Sequence, residues 1–290
     1  MKTTATFERC ELSDAQLQAL LAEDAPWGDL TTRSLALGGE PGRARFSARA
    51  AMIVAGAEEA ARLFDLCGSR ARIARPSGSP VEAGAILLEA EGPADSLLLA
   101  WKVAQALVEA CSGVATATGR IVAALRNAGH ATPVACTRKN FPGTRALASK
   151  SVRAGGGVMH RLGLSESLLV FPEHRAFIAA DALPAKLAAV KAAQPEKKLV
   201  VEVGSVDEAL AIARAGADVL QLERFSPQAL QALRVQLAQR GLRPLLAPAG
   251  GITADNAVAY AEAGADLLVT SAPYFAGPAD VKVMIAAAAD

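Results

Sequence analysis

Two segments of this chain, "DEALAIARAGADVL" from Asp207 and "DNAVAYAEAGADLL" from Asp255, align without a gap. In each, apolar residues recur at helical spacing, a glycine turn follows, and the apolar residues then become continuous. The two starts are separated by roughly two β-α units, the signature of a repeating parallel fold. The neighbouring runs "KLVVEV", "VLQL", "LLAP" and "LLVT" are short and apolar, as strands covered on both faces should be. The second half therefore predicts a parallel sheet or barrel wrapped by helices.

The first half reads differently. Ser13 to Gln16 is a capping box, and apolar residues at helical spacing continue to about Ala22. "RARFSARAAMIV" (43–54) predicts one long strand, and 57–67 a helix. The pieces "ARIAR" and "AILLEAEG" predict short strands between Pro and Gly turns. A long helical pattern opens at Pro93 and runs to about Arg126, with Gly113 a candidate interruption.

Lys plus Arg total 30 and Asp plus Glu 29, for a net charge of +1. No overall field favours nucleic acid or an acidic membrane, and neither is expected as a partner. Cys10, Cys67, Cys111 and Cys136 lie far apart without metal-binding spacing, which predicts a reducing compartment and no structural metal. Met1 leads into polar residues, so no secretion signal or spanning segment is expected and the cytoplasm is the predicted location.

Against that neutral background stands "TRKNFPGTRALASKSVRAGGGVMHR" (137–161). It carries Arg138, Lys139, Arg145, Lys150, Arg153 and Arg161, with His160 and no acid. Arg138, Lys139, Arg145, Lys150, His160 and Arg161 predict an anion pocket, since forks and ammonium groups hold carboxylates and phosphates.

Active sites of α/β barrels lie at the C-terminal strand ends. The residues there are Arg138 and Lys139; Glu202; Glu223 and Arg224; Ala249, Gly250 and Gly251; and Thr270, Ser271 and Ala272. Glu202 inside an apolar strand is either a working carboxylate or half of a buried ion pair. "AGGIT" is either a phosphate-binding turn with a helix beginning near Thr253, or simply a tight turn.

The motif "TRKNFPGTRALASKSVRAGGGVMHRLGL" resembles the quinolinate phosphoribosyltransferase family. That family's pattern is Thr-Arg-Lys-Thr-x-Pro-Gly-x-Arg, then Lys-x-Ala-Val, then Gly-Gly-Gly-x-x-His-Arg-x-x-Leu. "EDAPWGDLT" (23–31), "CSGVAT" (111–116), "VEV" (201–203) and "GGI" (250–252) match further family segments in order, so the resemblance covers nearly the whole chain. The ending "LLVTSAPYFAGPADVKVMI" is similar to the family branch called ModD, found with bacterial molybdenum-uptake genes.

The resemblance implies an α/β fold with an N-terminal α/β sandwich domain and an incomplete α/β barrel of the type II phosphoribosyltransferase kind. The sandwich domain would span 1–112 plus a C-terminal helix over 278–290, and the barrel 113–277. It implies a homodimer, or a multiple of dimers, whose subunits share active sites. It also implies phosphoribosyl pyrophosphate and a small aromatic acid as substrates, with Mg²⁺. Catalytic roles fall on Glu202, Glu223 and Lys139, with Glu202 and Glu223 on the metal side. Substrate-binding roles fall on Lys102, Arg138, His160, Arg161, Phe171, Ala249, Gly250, Gly251, Thr270 and Ser271.

Several matched positions depart from the family pattern. Lys102 stands for an arginine contributed by the partner subunit, Glu223 for an aspartate and Met159 for an asparagine. Phe171 stands for a substrate-side lysine and Glu173 for an asparagine, while His174 is kept. The acid pocket thus loses a cation and gains a ring and a carboxylate. The sequence predicts phosphoribosyl transfer to a heteroaromatic acid other than quinolinate, linked to molybdenum utilisation. The alternatives are quinolinate phosphoribosyltransferase of NAD biosynthesis, and a non-catalytic binder of a phosphoribosyl or molybdenum-related ligand.

Overall fold

The structure, a computed structural model, describes residues 9–288. The chain divides into two compact units, one of Met1–Gly119, Phe141–Gly156 and Pro273–Asp290, the other of Arg120–Asn140 and Gly157–Ala272.

In the first unit α1 (Asp14–Asp24) starts at the expected capping box. The Ser13 hydroxyl accepts from the Gln16 N–H, and the Gln16 side chain accepts from the Ser13 N–H. α2 (Leu30–Ser34) follows. The expected strand over 43–54 is two strands, β1 (Pro41–Ala48) and β2 (Met52–Ile53), with residues 49–51 between them. Then come α3 (Ala57–Leu66), β3 (Arg70–Ile73), β4 (Pro80–Val81) and β5 (Ile86–Pro93). β1 buries Ala44, Phe46 and Ala48 and exposes Arg43 and Arg45, so one face of its sheet meets the core.

The C-terminal helix expected over 278–290 is not formed in the described part of that range. Val281–Ala287 is a strand, paired antiparallel to β1, and completes a four-stranded antiparallel sheet ordered last strand, β1, β5, β3. Val281, Val283 and Ile285 pack on the core while Lys282, Met284 and Ala286 are exposed. That period of two, with β-branched residues on the inner face, outweighs the helical propensity of the alanines that follow. Residues 289–290 of the expected helix lie outside the described residues.

α4 (Ala94–Asn127) runs unbroken through Gly113. A Cβ there would come within 2.4 Å of the Gly277 carbonyl oxygen, so this glycine serves close packing and interrupts nothing. α4 contains an 18-residue window of mean hydropathy 1.4, long and apolar enough by composition to cross a membrane. Its Leu97, Ala100, Ala104, Leu107 and Val108 are instead core residues of this unit. α5 (Arg145–Ala154) also belongs here, although the sequence placed it with the barrel. Ala154 and Leu147 pack into the same core, and the buried Lys150 is ion-paired to Glu58 and Glu59 of α3.

The second unit contains β6 (Val134–Cys136), β7 (Val158–Met159), β8 (Leu168–Val170), α6 (Pro172–Arg175), α7 (Leu183–Ala193) and β9 (Leu199–Val203). It continues with α8 (Val206–Arg214), β10 (Val219–Glu223), α9 (Pro227–Gln239), β11 (Leu245–Ala249), α10 (Ala257–Glu262) and β12 (Leu268–Thr270). The strands are ordered β7-β6-β12-β11-β10-β9-β8 and every neighbouring pair is parallel. β7 and β8 are the free edges, which makes this an incomplete α/β barrel.

Alternation along these strands positions the site. Leu199, Val201 and Val203 of β9 join the layer between strands and helices, while Val200 joins a second cluster with Leu169, Val219, Ala247, Ala249 and Val269. That second cluster is the concave side. Counting by twos from Val200 and Val219 puts Glu202, Gln221 and Glu223 on the same side, at the C-terminal ends of their strands.

Candidate functional site

Glu202 and Gln221 are direct partners in the β9–β10 ladder. The Gln221 amide donates to Glu202 Oε2 at 2.6 Å. Glu202 is half-buried, and no Lys or Arg forms an ion pair with it among the described residues. The buried-pair reading of this carboxylate is therefore not met. Its carboxyl is held above the usual glutamate range, chiefly by desolvation and then by the charge of Glu223. Glu173 adds to the rise, while the Gln221 hydrogen bond and Lys139 oppose it. Glu223 has only a loose partner, Arg224 Nε at 3.5 Å, in an exposed position.

Arg224 follows β10 in the left-handed region, with φ 55°, and its N–H donates to the Ala249 carbonyl at 2.8 Å. A non-glycine residue there is strained, and such strain gathers at ligand sites. Gly250 and Gly251 after β11 have φ of 87° and 77°. A Cβ on Gly250 would also stand 3.0 Å from Glu223 Oε1, so both conformation and space require glycine. The helix expected from Thr253 begins at Ala257 instead. The Thr253 N–H donates to Asn256 Oδ1, and the Asn256 amide donates to the Gly251 carbonyl, so residues 253–256 close a side-chain-stabilised turn. The buried Thr270 hydroxyl donates to the Ile252 carbonyl and accepts from the Ala272 N–H, which holds the glycine turn against the end of β12. Ser271 Oγ lies 2.6 Å from Thr137 Oγ1.

The cations follow β6 and β7. Arg138 is half-buried and Lys139 exposed. The His160 N–H donates to the Cys136 carbonyl at 2.8 Å, which continues the β6–β7 pairing by one residue. Burial, and then the charge of Arg161, push the His160 imidazole below its usual pKa, so it is neutral at pH 7. Arg161 is only 5% exposed. Its guanidinium lies 5.7 Å from the centre of the Phe171 ring and has neither a hydrogen bond nor an ion pair with any described residue. Burial, and then Arg138, depress its pKa, with Glu166 acting in the opposite direction.

Phe171 packs on the concave-side cluster, and its ring is stacked on His174 at 5.9 Å and 13°. Glu173 is exposed on α6. The barrel unit thus brings together Arg138, Lys139, His160, Arg161, Phe171, Ala249, Gly250, Gly251, Thr270 and Ser271 with Glu202 and Glu223, all at one end of the sheet. Lys102 belongs to the first unit, exposed on α4, where it donates to Gln105 and lies over the Trp101 ring. Lys150, read from sequence as part of the anion pocket, is 1% exposed and committed to Glu58 and Glu59. Arg145 starts α5 in that same first unit.

Sequence reasoning missed Gln221, which the alternation in "VLQLE" could have revealed through its parity with Glu223. It also missed Arg175, for which the sequence gives no local signal. The paired carboxylates, the uncommitted cations and the glycine turn can together hold a polyanion, an organic acid and a divalent cation. Mg²⁺ suits such a donor set, because it binds through one or two carboxylates and completes its shell from phosphates and water.

Residues 29–112 match the family model described as quinolinate phosphoribosyl transferase, N-terminal domain, and residues 114–284 the corresponding C-terminal domain. The chain is 53% identical over 246 residues to a Rhodobacter capsulatus protein named "Putative pyrophosphorylase ModD", covering 85% of this chain and 95% of that one. It is 33% identical over 273 residues to the carboxylating nicotinate-nucleotide pyrophosphorylase of Mycobacterium leprae, covering 91% and 94%. The nicotinate-nucleotide pyrophosphorylase structure from Francisella tularensis superposes with a TM-score of 0.85 at 26% identity, covering 94% and 95%.

Proposed function

Because the chain belongs to the quinolinate phosphoribosyl transferase family, we propose that it transfers the phosphoribosyl group of phosphoribosyl pyrophosphate to a heteroaromatic acid other than quinolinate. As a family member it is a phosphoribosyltransferase, a glycosyltransferase-type enzyme. The observation that carries the reading of the acid side is Arg161. A guanidinium this little exposed, near Arg138 and without an ion pair among the described residues, suits an interaction that an acidic ligand completes. A carboxylate between Arg138 and Arg161 would satisfy both, and neutral His160 adds a hydrogen bond without a third charge.

The rest of the site supports transfer. Glu202 and Glu223 face the place where positive charge develops at the ribosyl carbon. Lys139 supplies a flexible cation for the diphosphate, and the Gly250–Gly251 backbone can approach the 5′-phosphate. Mg²⁺, held by Glu202 and Glu223, would neutralise the diphosphate leaving group.

Phe171 and Glu173 shape the acceptor preference. The ring carries no charge and already contacts Arg161 and His174, so it supports Arg161 rather than answering a second carboxylate. Glu173 repels such a group. The cytoplasmic, dimeric form and the link to molybdenum utilisation belong to this reading through the ModD resemblance.

Purified protein given phosphoribosyl pyrophosphate, Mg²⁺ and a panel of heteroaromatic acids tests it by pyrophosphate release. Quinolinate should be a poor acceptor. Phe171→Lys with Glu173→Asn should raise its kcat/KM roughly ten- to a hundred-fold by restoring a charge-assisted contact. Fast turnover of quinolinate by the wild type would support the second reading, quinolinate phosphoribosyltransferase, which the Mycobacterium leprae relative favours.

A further inference from the structure

Arg175 closes the short α6 that also carries Glu173. Its Nη1 pairs with Glu208 in the first turn of α8. Its Nη2 donates to the main-chain carbonyl of Glu202 at 3.0 Å. The other Glu208 oxygen accepts from the Gly204 N–H at 2.7 Å. Arg175 and Glu208 therefore grip the end of β9 on both sides of Val203.

The opposite end of the turn is equally fixed. The Phe171 N–H donates to His174 Nδ1 at 3.0 Å, and the two rings are stacked. A continuous chain of contacts thus runs from the Phe171 ring, through His174 and Arg175, to the peptide of Glu202.

Stability alone does not account for this arrangement. The Arg175 side chain is 15% exposed, and its Nε is buried without a partner. A buried unsatisfied donor is a cost that calls for a compensating role. A guanidinium bound to a carbonyl at a strand end fixes the peptide from which the Glu202 side chain departs.

We propose that Arg175 is a positioning residue. It holds the Phe171–Glu173 turn and the Glu202 peptide in one register, so that acceptor and ribosyl-side carboxylate meet at a set distance. This rests on the phosphoribosyl-transfer reading.

The test compares Arg175→Met, Arg175→Lys and Glu208→Gln, with phosphoribosyl pyrophosphate, Mg²⁺, and nicotinate and quinolinate as acceptor probes. For Arg175→Met, kcat should fall about ten- to a hundred-fold, the scale of a small misplacement of reacting groups, while KM for phosphoribosyl pyrophosphate changes little. Arg175→Lys should recover part of the loss, since an ammonium can reach the carbonyl or the carboxylate but not both. Hydrogen exchange should quicken together at the amides of 171, 173–175 and 203–204 in the Met variant. Wild-type kcat in Arg175→Met, no advantage of Lys over Met, or quickened exchange confined to 171–175 would each overturn the proposal.

If Arg175→Met does not fold, Glu208→Gln decides by the same measurements, because glutamine still accepts from Gly204 while losing its charge. If the wild type releases no pyrophosphate with either probe, the transfer reading loses support. The exchange result then decides the clamp by itself, with joint quickening sustaining it and separate behaviour refuting it.

Discussion

Replacing Arg161 with Met should make the free protein more stable and a worse binder. Methionine keeps most of the stem that lies beside Phe171 and removes a charge that is 5% exposed, unpaired and close to Arg138. Relieving the desolvation of that charge and its repulsion from Arg138 returns about 1–3 kcal/mol. Losing the contact with the Phe171 ring subtracts about 0.5–1 kcal/mol. The net gain, at most about 2.5 kcal/mol, should raise the melting midpoint by up to roughly 10 °C for a chain of this size class. With ligand the sign reverses. A carboxylate held between Arg138 and Arg161 would lose one of two cation partners, a loss of about 2–5 kcal/mol, or about 30- to several-thousand-fold in Kd. Scanning calorimetry of the free protein and titration calorimetry with nicotinate, with phosphoribosyl pyrophosphate present, measure the two effects separately. A lower midpoint with unchanged nicotinate affinity would refute the reasoning and make Arg161 a packing residue. Arg161→Lys should retain part of the affinity, because it keeps the charge and loses the fork.

Binding of phosphoribosyl pyrophosphate with Mg²⁺ needs Glu202 ionised, so affinity should fall as pH drops through a pKa above the usual glutamate range; Glu223→Gln should move that acid limb to lower pH by removing a neighbouring charge. For stability the sign is opposite, since a raised carboxyl pKa favours the protonated folded state and this contribution weakens as pH rises through it; the same pH series by calorimetry checks it. Lys150→Met should be strongly destabilising, by about 3–5 kcal/mol, because it leaves Glu58 and Glu59 buried without their cation; a melting midpoint within a degree of wild type would contradict this. Sedimentation at micromolar concentration should show a dimer or a multiple of dimers, and Lys102→Ala should lower turnover without dissociating it; an active monomer would exclude a shared site.

The repeating half of the fold was legible because its strands obey one rule throughout. The central strands of the barrel are largely buried on both faces, so apolar runs, glycine turns and helical spacing coincide at Leu199–Val203, Val219–Glu223 and Leu268–Thr270. The last strand misled because "VKVMIAAAA" satisfies two periods at once. Alanines favour a helix, while pairing with β1 rewards the alternation of Val281, Val283 and Ile285. That pairing partner lies more than two hundred residues away in the chain, where local propensity carries no information.

The cation stretch shows the same limit at the level of single side chains. Lys150 and Arg161 are both basic, both nearly buried, and both follow the same motif, and sequence alone gave them one role. What separates them is the next layer. Lys150 is ion-paired to two acids on α3, about ninety residues earlier, whereas Arg161 meets another arginine and a phenyl ring, with Glu166 acting on it only through its charge and not as an ion pair. A buried cation with its counter-charges present is finished as structure, and removing it leaves acids that nothing else neutralises. A buried cation opposite another cation, with no ion pair among the described residues, is open to a partner that a bound acid can supply. The two substitutions, Lys150→Met and Arg161→Met, therefore remove the same charge from the same motif and should move stability in opposite directions.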